Sequence, residues 1–185
     1  MFDIDNFVND LAAARTESRP QLAIKEVLLR AVADPAAAAD TLRPTEGGIS
    51  VLHHSDVLTV LNVVWAPGMR VYPHDHRMWA AIGIYAGRED NAFYRRTAPA
   101  ARTLAASGGK QLDVGDVALL GDDTIHAVTN PLDRLTGAIH VYGGDFINQP
   151  RSQWGPGEEL EQPYDLDHVR QMFAAANQAW RERVG

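Results

Sequence analysis

Cysteine is absent from the chain, which removes disulfides, thiolate metal ligands and a cysteine nucleophile together. Basic residues are outnumbered, with 17 Lys and Arg against 24 Asp and Glu for a formal charge of −7. A chain of that sign has little means of displacing counterions from a phosphate backbone, so nucleic acid is not an expected partner. No apolar run is long enough to span a bilayer, and the N-terminal MFDIDNFVNDLAAAR carries acids where a signal peptide needs basic residues. A cytoplasmic protein without a membrane partner is therefore expected. Its chemistry must come from His, Tyr, acidic side chains or a bound metal.

The balance of 45% hydrophobic and 22% charged residues is that of a globular protein, and 185 residues suit one domain with terminal additions. Residues 1–185 are read as that single domain. From 1 to about 42 the apolar residues Phe2, Ile4, Phe7, Val8 and Leu11, then Leu22, Ile24, Val27, Leu28 and Val32, form two helical stripes punctuated by Pro20 and Pro35. From about 49 to 147 the texture changes to short runs such as VLTVLNVVW, AAIGIYAG, DVALL, IHAVT and GAIHVY, separated by APG, SGG, GDD and NPLD turns. That is an antiparallel, all-β pattern. The stretch QPRSQWGPGEELEQPY reads as a surface loop, and DLDHVRQMFAAANQAWRER as a closing helix capped by Asp165 or Asp167, so that loop and helix fill about 148–185.

His74 and His76 lie two apart in PGMRVYPHDHRMW, and the strand period of two sends both rings to one face. Such a pair alone also suits two hydrogen-bonded histidines on a polar strand. The best third ligand is His126 in GDVALLGDDTIHAVTN, where a strand ends in a Gly121-Asp122-Asp123 turn and a new strand carries the histidine inward. Alone it would more readily be a core histidine with one partner. In GAIHVY, period two puts Ala138, His140 and Tyr142 on one face, opposite Ile139 and Val141. His53 and His54 are adjacent and point to opposite faces, while Trp65 and Trp79, which flank the histidine pair, are read as packing residues.

WAPGMRVYPHDHRMWAAIGIYAG resembles the first cupin motif and GDVALLGDDTIHAVTN the second, with Asn130 at its usual end. The resemblance covers about 50–147 and implies a jelly-roll (double-stranded β-helix) barrel, here with N-terminal and C-terminal helices packed on its outside, holding a metal through His74, His76 and His126, each ring oriented by a polar partner. Ala80 and Ala81 stand where most cupins carry a glutamate ligand; Glu89 lies too far along to be a simple replacement and stays open as a fourth ligand. A three-histidine set resembles the thiol dioxygenase branch, the cysteine and mercaptopropionate dioxygenases. AIHVYGGDF is similar to their Ser-x-His-x-Tyr segment, with His140 and Tyr142 matching and Ala138 in place of the serine.

The resemblance thus implies a non-haem Fe(II) dioxygenase that takes a small thiol carboxylic acid and O2 to the sulfinate, with His140 and Tyr142 as catalytic residues. Zn, Ni, Mn or Cu suit three imidazoles as well. Another cupin oxygenase, such as one cleaving a diketone, and a non-enzymatic cupin that binds a small molecule are the alternatives. The arginine that grips the substrate carboxylate in cysteine dioxygenases has no counterpart in GGISVLHHSDV; Arg70, Arg77, Arg95 and Arg96 are read as surface charges. A homodimer is expected.

Overall fold

The N-terminal helices begin where the sequence supplies caps. In the computed structural model, which describes residues 1–155 and 160–184, α1 (Ile4–Ala14) starts after Asp3, whose carboxylate accepts the Asn6 N–H at 2.9 Å. α2 (Pro20–Val32) and α3 (Pro35–Leu42) each open on a proline, whose missing N–H is harmless in a first turn. The two prolines therefore divide the expected helical region into three helices.

Among the described residues eleven strands follow: β1 (Gly48–His54), β2 (Thr59–Trp65), β3 (Arg70–Asp75), β4 (Ala80–Ala86), β5 (Arg88–Arg96), β6 (Leu104–Asp113), β7 (Val117–Leu120), β8 (Ile125–Thr129), β9 (Thr136–Tyr142), β10 (Ser152–Trp154) and β11 (Glu161–Pro163). The chain closes with α4 (Leu166–Val184). One sheet runs β1-β2-β9-β4-β7 and the other β11-β10-β3-β8-β5-β6, and the paired strands are antiparallel. Strands distant in sequence thus lie side by side, the jelly-roll arrangement.

Period two decides what each face meets. Leu61, Val63, Trp65, Ile82, Ala138 and Tyr142 share the inner cluster, whereas Val60, Ala81, Ile139 and Val141 pack outward against Phe7, Leu11, Ile24 and Leu28 of the helices. α2 lies so close to β4 that a Cβ on Gly83 would sit 2.8 Å from Leu28 Cγ. Only glycine admits the helix there. With both faces covered, β2 and β9 are buried along their whole length.

Three features depart from the sequence reading. The SGG segment is not a turn but lies inside β6, where Phe93 pairs with Gly108 and Tyr94 with Ala106, and Gly108 takes a φ of 145° to absorb the bulge. The stretch expected as a surface loop contains β10 and β11, with Ser152, Gln153 and Trp154 buried, while its residues 156–159 lie outside the described residues. Gln153 pairs with His74 of β3, a long-range contact that local composition does not encode. Finally, α4 does not pack on the outside of the barrel as the N-terminal helices do. Its Val169 and Phe173 join the inner cluster, and Phe173 stacks on Trp65 with ring centroids 5.5 Å apart. Among the described residues no helix is long and apolar enough to cross a membrane.

Candidate metal centre

β3 carries His74 inward by means of an irregularity. Pro73 cannot donate to the ladder, and the register with β8 shifts between Val71 and His74, after which His74 stands opposite His126. The strand ends at Asp75. His76 therefore lies on the turn that follows rather than in the strand, helped by Arg77 at a φ of 54°. Asp75 anchors that turn: its carboxylate accepts the Ser152 N–H at 2.7 Å. All three histidines are buried, and a nitrogen of each lies within 4.8 Å of the others.

The ring nitrogens facing one another are lone-pair bearers. The Glu89 carboxylate can only accept, so the Asn91 amide turns its Nδ2 to Glu89 Oε1 at 2.9 Å and its Oδ1 to His126. His126 Nδ1 must then donate to Asn91 Oδ1, at 2.7 Å, which leaves Nε2 unprotonated. The Tyr72 carbonyl imposes the same tautomer on His74 through Nδ1 at 2.9 Å. His76 Nε2 lies 3.3 Å from His74 Nε2 and 3.1 Å from His126 Nε2. A proton on His76 can satisfy only one of these lone pairs, whereas a cation between the rings satisfies both. Nitrogens about 2.1 Å from one ion stand about 3.0 Å apart at a right angle and about 3.4 Å at a tetrahedral one. The cluster thus fits a divalent metal.

Burial, followed by the charge of Arg151, lowers the His74 pKa to about 4 against the pull of the Tyr72 carbonyl. His76 and His126 are pushed well below the usual histidine value, first by burial and then by neighbouring histidines. All three are held neutral, as ligation requires. Each ring was expected to have a polar partner, and His76 departs from this: its Nδ1 has no partner among the described residues. Aromatic edges hold it instead, with Tyr142 at 5.0 Å and Phe146 at 5.6 Å between centroids.

β9 places His140 and Tyr142 on the cavity side, with Tyr142 Oη 3.1 Å from His140 Nδ1. Burial raises the Tyr142 pKa, so the hydroxyl keeps its proton. Ala138 offers His140 no acceptor, and Glu89 takes that place: His140 Nε2 lies 3.4 Å from Glu89 Oε2, an ion-pair distance without hydrogen-bond alignment. Trp65 Nε1 donates to the same oxygen at 2.7 Å. Burial favours protonating Glu89, but His140, Asn91 and Trp65 outweigh it and hold the carboxyl below its ordinary range. With its oxygens thus engaged, Glu89 is not among the clustered donors. It connects His126, through Asn91, to His140 and Tyr142.

Of the other candidates, His54 pairs with Asp145 at 2.7 Å on the surface, and Arg77 and Arg96 reach Glu161. Arg70 and Arg95 are exposed, and none of these arginines lines the cavity. Arg170 lines it from α4, and so does Arg151, which the sequence reading missed. Its guanidinium lies 4.0 Å from the ring centroids of both Phe146 and Tyr164. Nη1 donates to the Phe146 carbonyl at 2.7 Å, and Nε is buried without a partner among the described residues. Its segment has no periodicity that could have singled it out. Asn91 was missed as well and could have been flagged, because it shares a strand face with Glu89 and the inward face of a barrel strand must satisfy its polar groups.

The strand order and the paired histidine segments define the fold as the cupin jelly roll, with a buried histidine triad able to hold a metal. No protein-family model matches the chain. Among solved structures it is similar to a protein with a double-stranded β-helix domain from Klebsiella pneumoniae, with 17% identity over 60% of this chain and 87% of that one and a TM-score of 0.43. It is also similar to a Bacillus halodurans protein, at 16% identity over 57% and 76% of the two chains with a TM-score of 0.49. A cupin domain from Bordetella pertussis matches at 18% identity over 53% and 93%, with a TM-score of 0.42.

Proposed function

We propose that the protein is a mononuclear non-haem iron dioxygenase that oxidises a thiol carboxylic acid to its sulfinate. The observation that carries this reading is the content of one cavity: three neutral imidazoles with no carboxylate among them, the His140–Tyr142 pair beside them, and Arg151 without a carboxylate partner among the described residues. A carboxylate in the ligand set would offset the metal charge; three imidazoles leave it free to favour a bound thiolate. A ferrous ion at His74, His76 and His126 would supply that charge and the positions at which thiolate and O2 meet.

The reaction balances without a reductant. RSH and O2 give RSO2H, both oxygen atoms pass to sulfur, and the four electrons lost by sulfur are those gained by O2. Arg151, whose guanidinium lies against Phe146 and Tyr164 on the cavity lining, would pair with the substrate carboxylate and so fix the distance from carboxylate to sulfur. His140 Nδ1, 3.1 Å from the Tyr142 oxygen, would orient that hydroxyl toward the reacting group. Tyr142, His76 and Phe146 pack together and keep bulk water from that side.

The test is metal analysis of anaerobically purified protein, followed by oxygen-electrode and mass measurements on a panel of small thiol acids. The expected result is iron at about one per chain, O2 uptake equal to thiol consumed, and a product heavier by two oxygen atoms. Iron-loaded protein that consumes no O2 with any thiol acid would overturn the proposal and favour a binding role for the fold.

A further inference from the structure

We infer that the substrate of this site carries an unbranched apolar arm behind its acidic head, so that the preferred thiol acid is a medium-chain one rather than the shortest; the thiol part of this statement rests on the proposed reaction. The cavity measures about 300 Å³, the lower end of the range that takes drug-sized ligands. Its polar groups gather around the histidine triad, Tyr142 and Arg151. Most of the remaining wall is hydrocarbon, Leu61, Val63, Val71 and Val128 from the strands and Val169 and Phe173 from α4, none more than 6% exposed, with the exposed Arg170 of α4 as the charged exception.

The apolar character continues to the surface. Ile49, Val51, Ile147 and Leu166 line the same cavity yet are 38–54% exposed, which places large apolar side chains around its opening. Isolated exposed aliphatics need no explanation, but a group of them rimming an apolar cavity marks a surface that a ligand covers. Water is a poor occupant of the hydrocarbon part, because a buried water needs two to four polar partners and these six walls supply none from their side chains. A short thiol acid would fill only the polar end. An alkyl chain lying along Val63, Val128 and Phe173 toward Ile49 and Leu166 would fill the remainder, each methylene improving binding about fourfold.

The test is calorimetric titration of the anaerobic, iron-loaded protein with straight-chain alkanoates from propionate to octanoate, which lack sulfur and so report the head and arm alone. Affinity should rise about fourfold per methylene through hexanoate. Val169→Phe should end that rise at a shorter chain, and Phe173→Ala should extend it. Affinities that are undetectable, flat or falling beyond propionate in the unmodified protein would overturn the inference. Oxygen uptake with 3-mercaptopropionate and 3-mercaptooctanoate separates this outcome from the proposed reaction. A rising series with neither thiol oxidised removes the thiol chemistry and leaves the apolar arm; oxidation of mercaptopropionate with a flat series does the reverse.

Discussion

Glu89 is the residue on which the site's polar groups converge. Fully buried, its carboxylate orients Asn91, and through it His126, while the other oxygen meets Trp65 and His140. Glu89→Gln keeps the volume but sets an amide donor against one of these donors, so the orientation of Asn91 or Trp65 must give way. Metal affinity, measured by chelator competition, should fall about 10–100-fold, and unchanged affinity would show that the orientation of His126 does not depend on Glu89. Tyr142→Phe acts on a different step. It should retain metal and fold and lose about 10²-fold or more in turnover, as expected on removing a positioned donor. A Phe variant as active as its parent would take Tyr142 out of the reaction.

At the level of elements, the ends of strands matter more than their middles. Asn130, just beyond β8, is wholly buried; its Nδ2 donates to the carbonyls of Trp65, Ala66 and Arg134 at 3.0, 3.1 and 2.9 Å, and its Oδ1 accepts the Leu132 N–H at 3.0 Å. One side chain thereby fastens the end of β2 to the loop leading into β9. Asn130→Ala strands these backbone groups in the interior, and the expected loss is about 3 kcal/mol, read as a lower urea midpoint at constant slope. A shift below about 0.5 kcal/mol would mean that the loop finds other partners. α4 is held by a comparable device, Asn177 bonding both the N–H and the carbonyl of Gly47 at 2.7 and 2.8 Å. Those bonds keep Val169 and Phe173 over the cavity.

For the whole molecule, the buried histidines tie stability to pH. In an unfolded chain they take up protons below about pH 6.5. In the folded protein burial holds His74 neutral down to about pH 4, and His76 and His126 are likewise displaced downward. Between those limits the unfolded state binds more protons, so stability falls as pH falls. Metal-free protein should show a melting midpoint nearly constant above about pH 7 that drops steadily from about pH 6.5 to 4. Bound metal should raise the midpoint and leave over the same window, because protons compete for the same nitrogens. A metal-free midpoint unchanged between pH 7 and pH 4.5 would show that the three rings are not held neutral by the fold.

Much of this molecule is legible from neighbours a few residues apart. Asp3, Pro20, Pro35 and Asp165 mark helix starts because a cap acts within one turn, and the alternation in VLTVLNVVW and GAIHVY sets strand faces because the pleat has a period of two. The same alternation puts His140 and Tyr142 together, and the spacing of His74, His76 and His126 points to one cluster through its resemblance to the cupin motifs. Other features exist only after the barrel closes. His76 sits on a turn because Pro73 and Arg77 bend the chain there, β10 is a strand because it completes the edge beside β3, and Arg151 faces the histidines from a segment without pattern. Glu89 is neither a surface acid nor part of the histidine cluster, because Trp65, Asn91 and His140 reach it from β2, its own strand and β9. A sequence determines what each side chain can donate, accept or bury; which distant partner meets it is decided by the packing of the two sheets, since those contacts form only together.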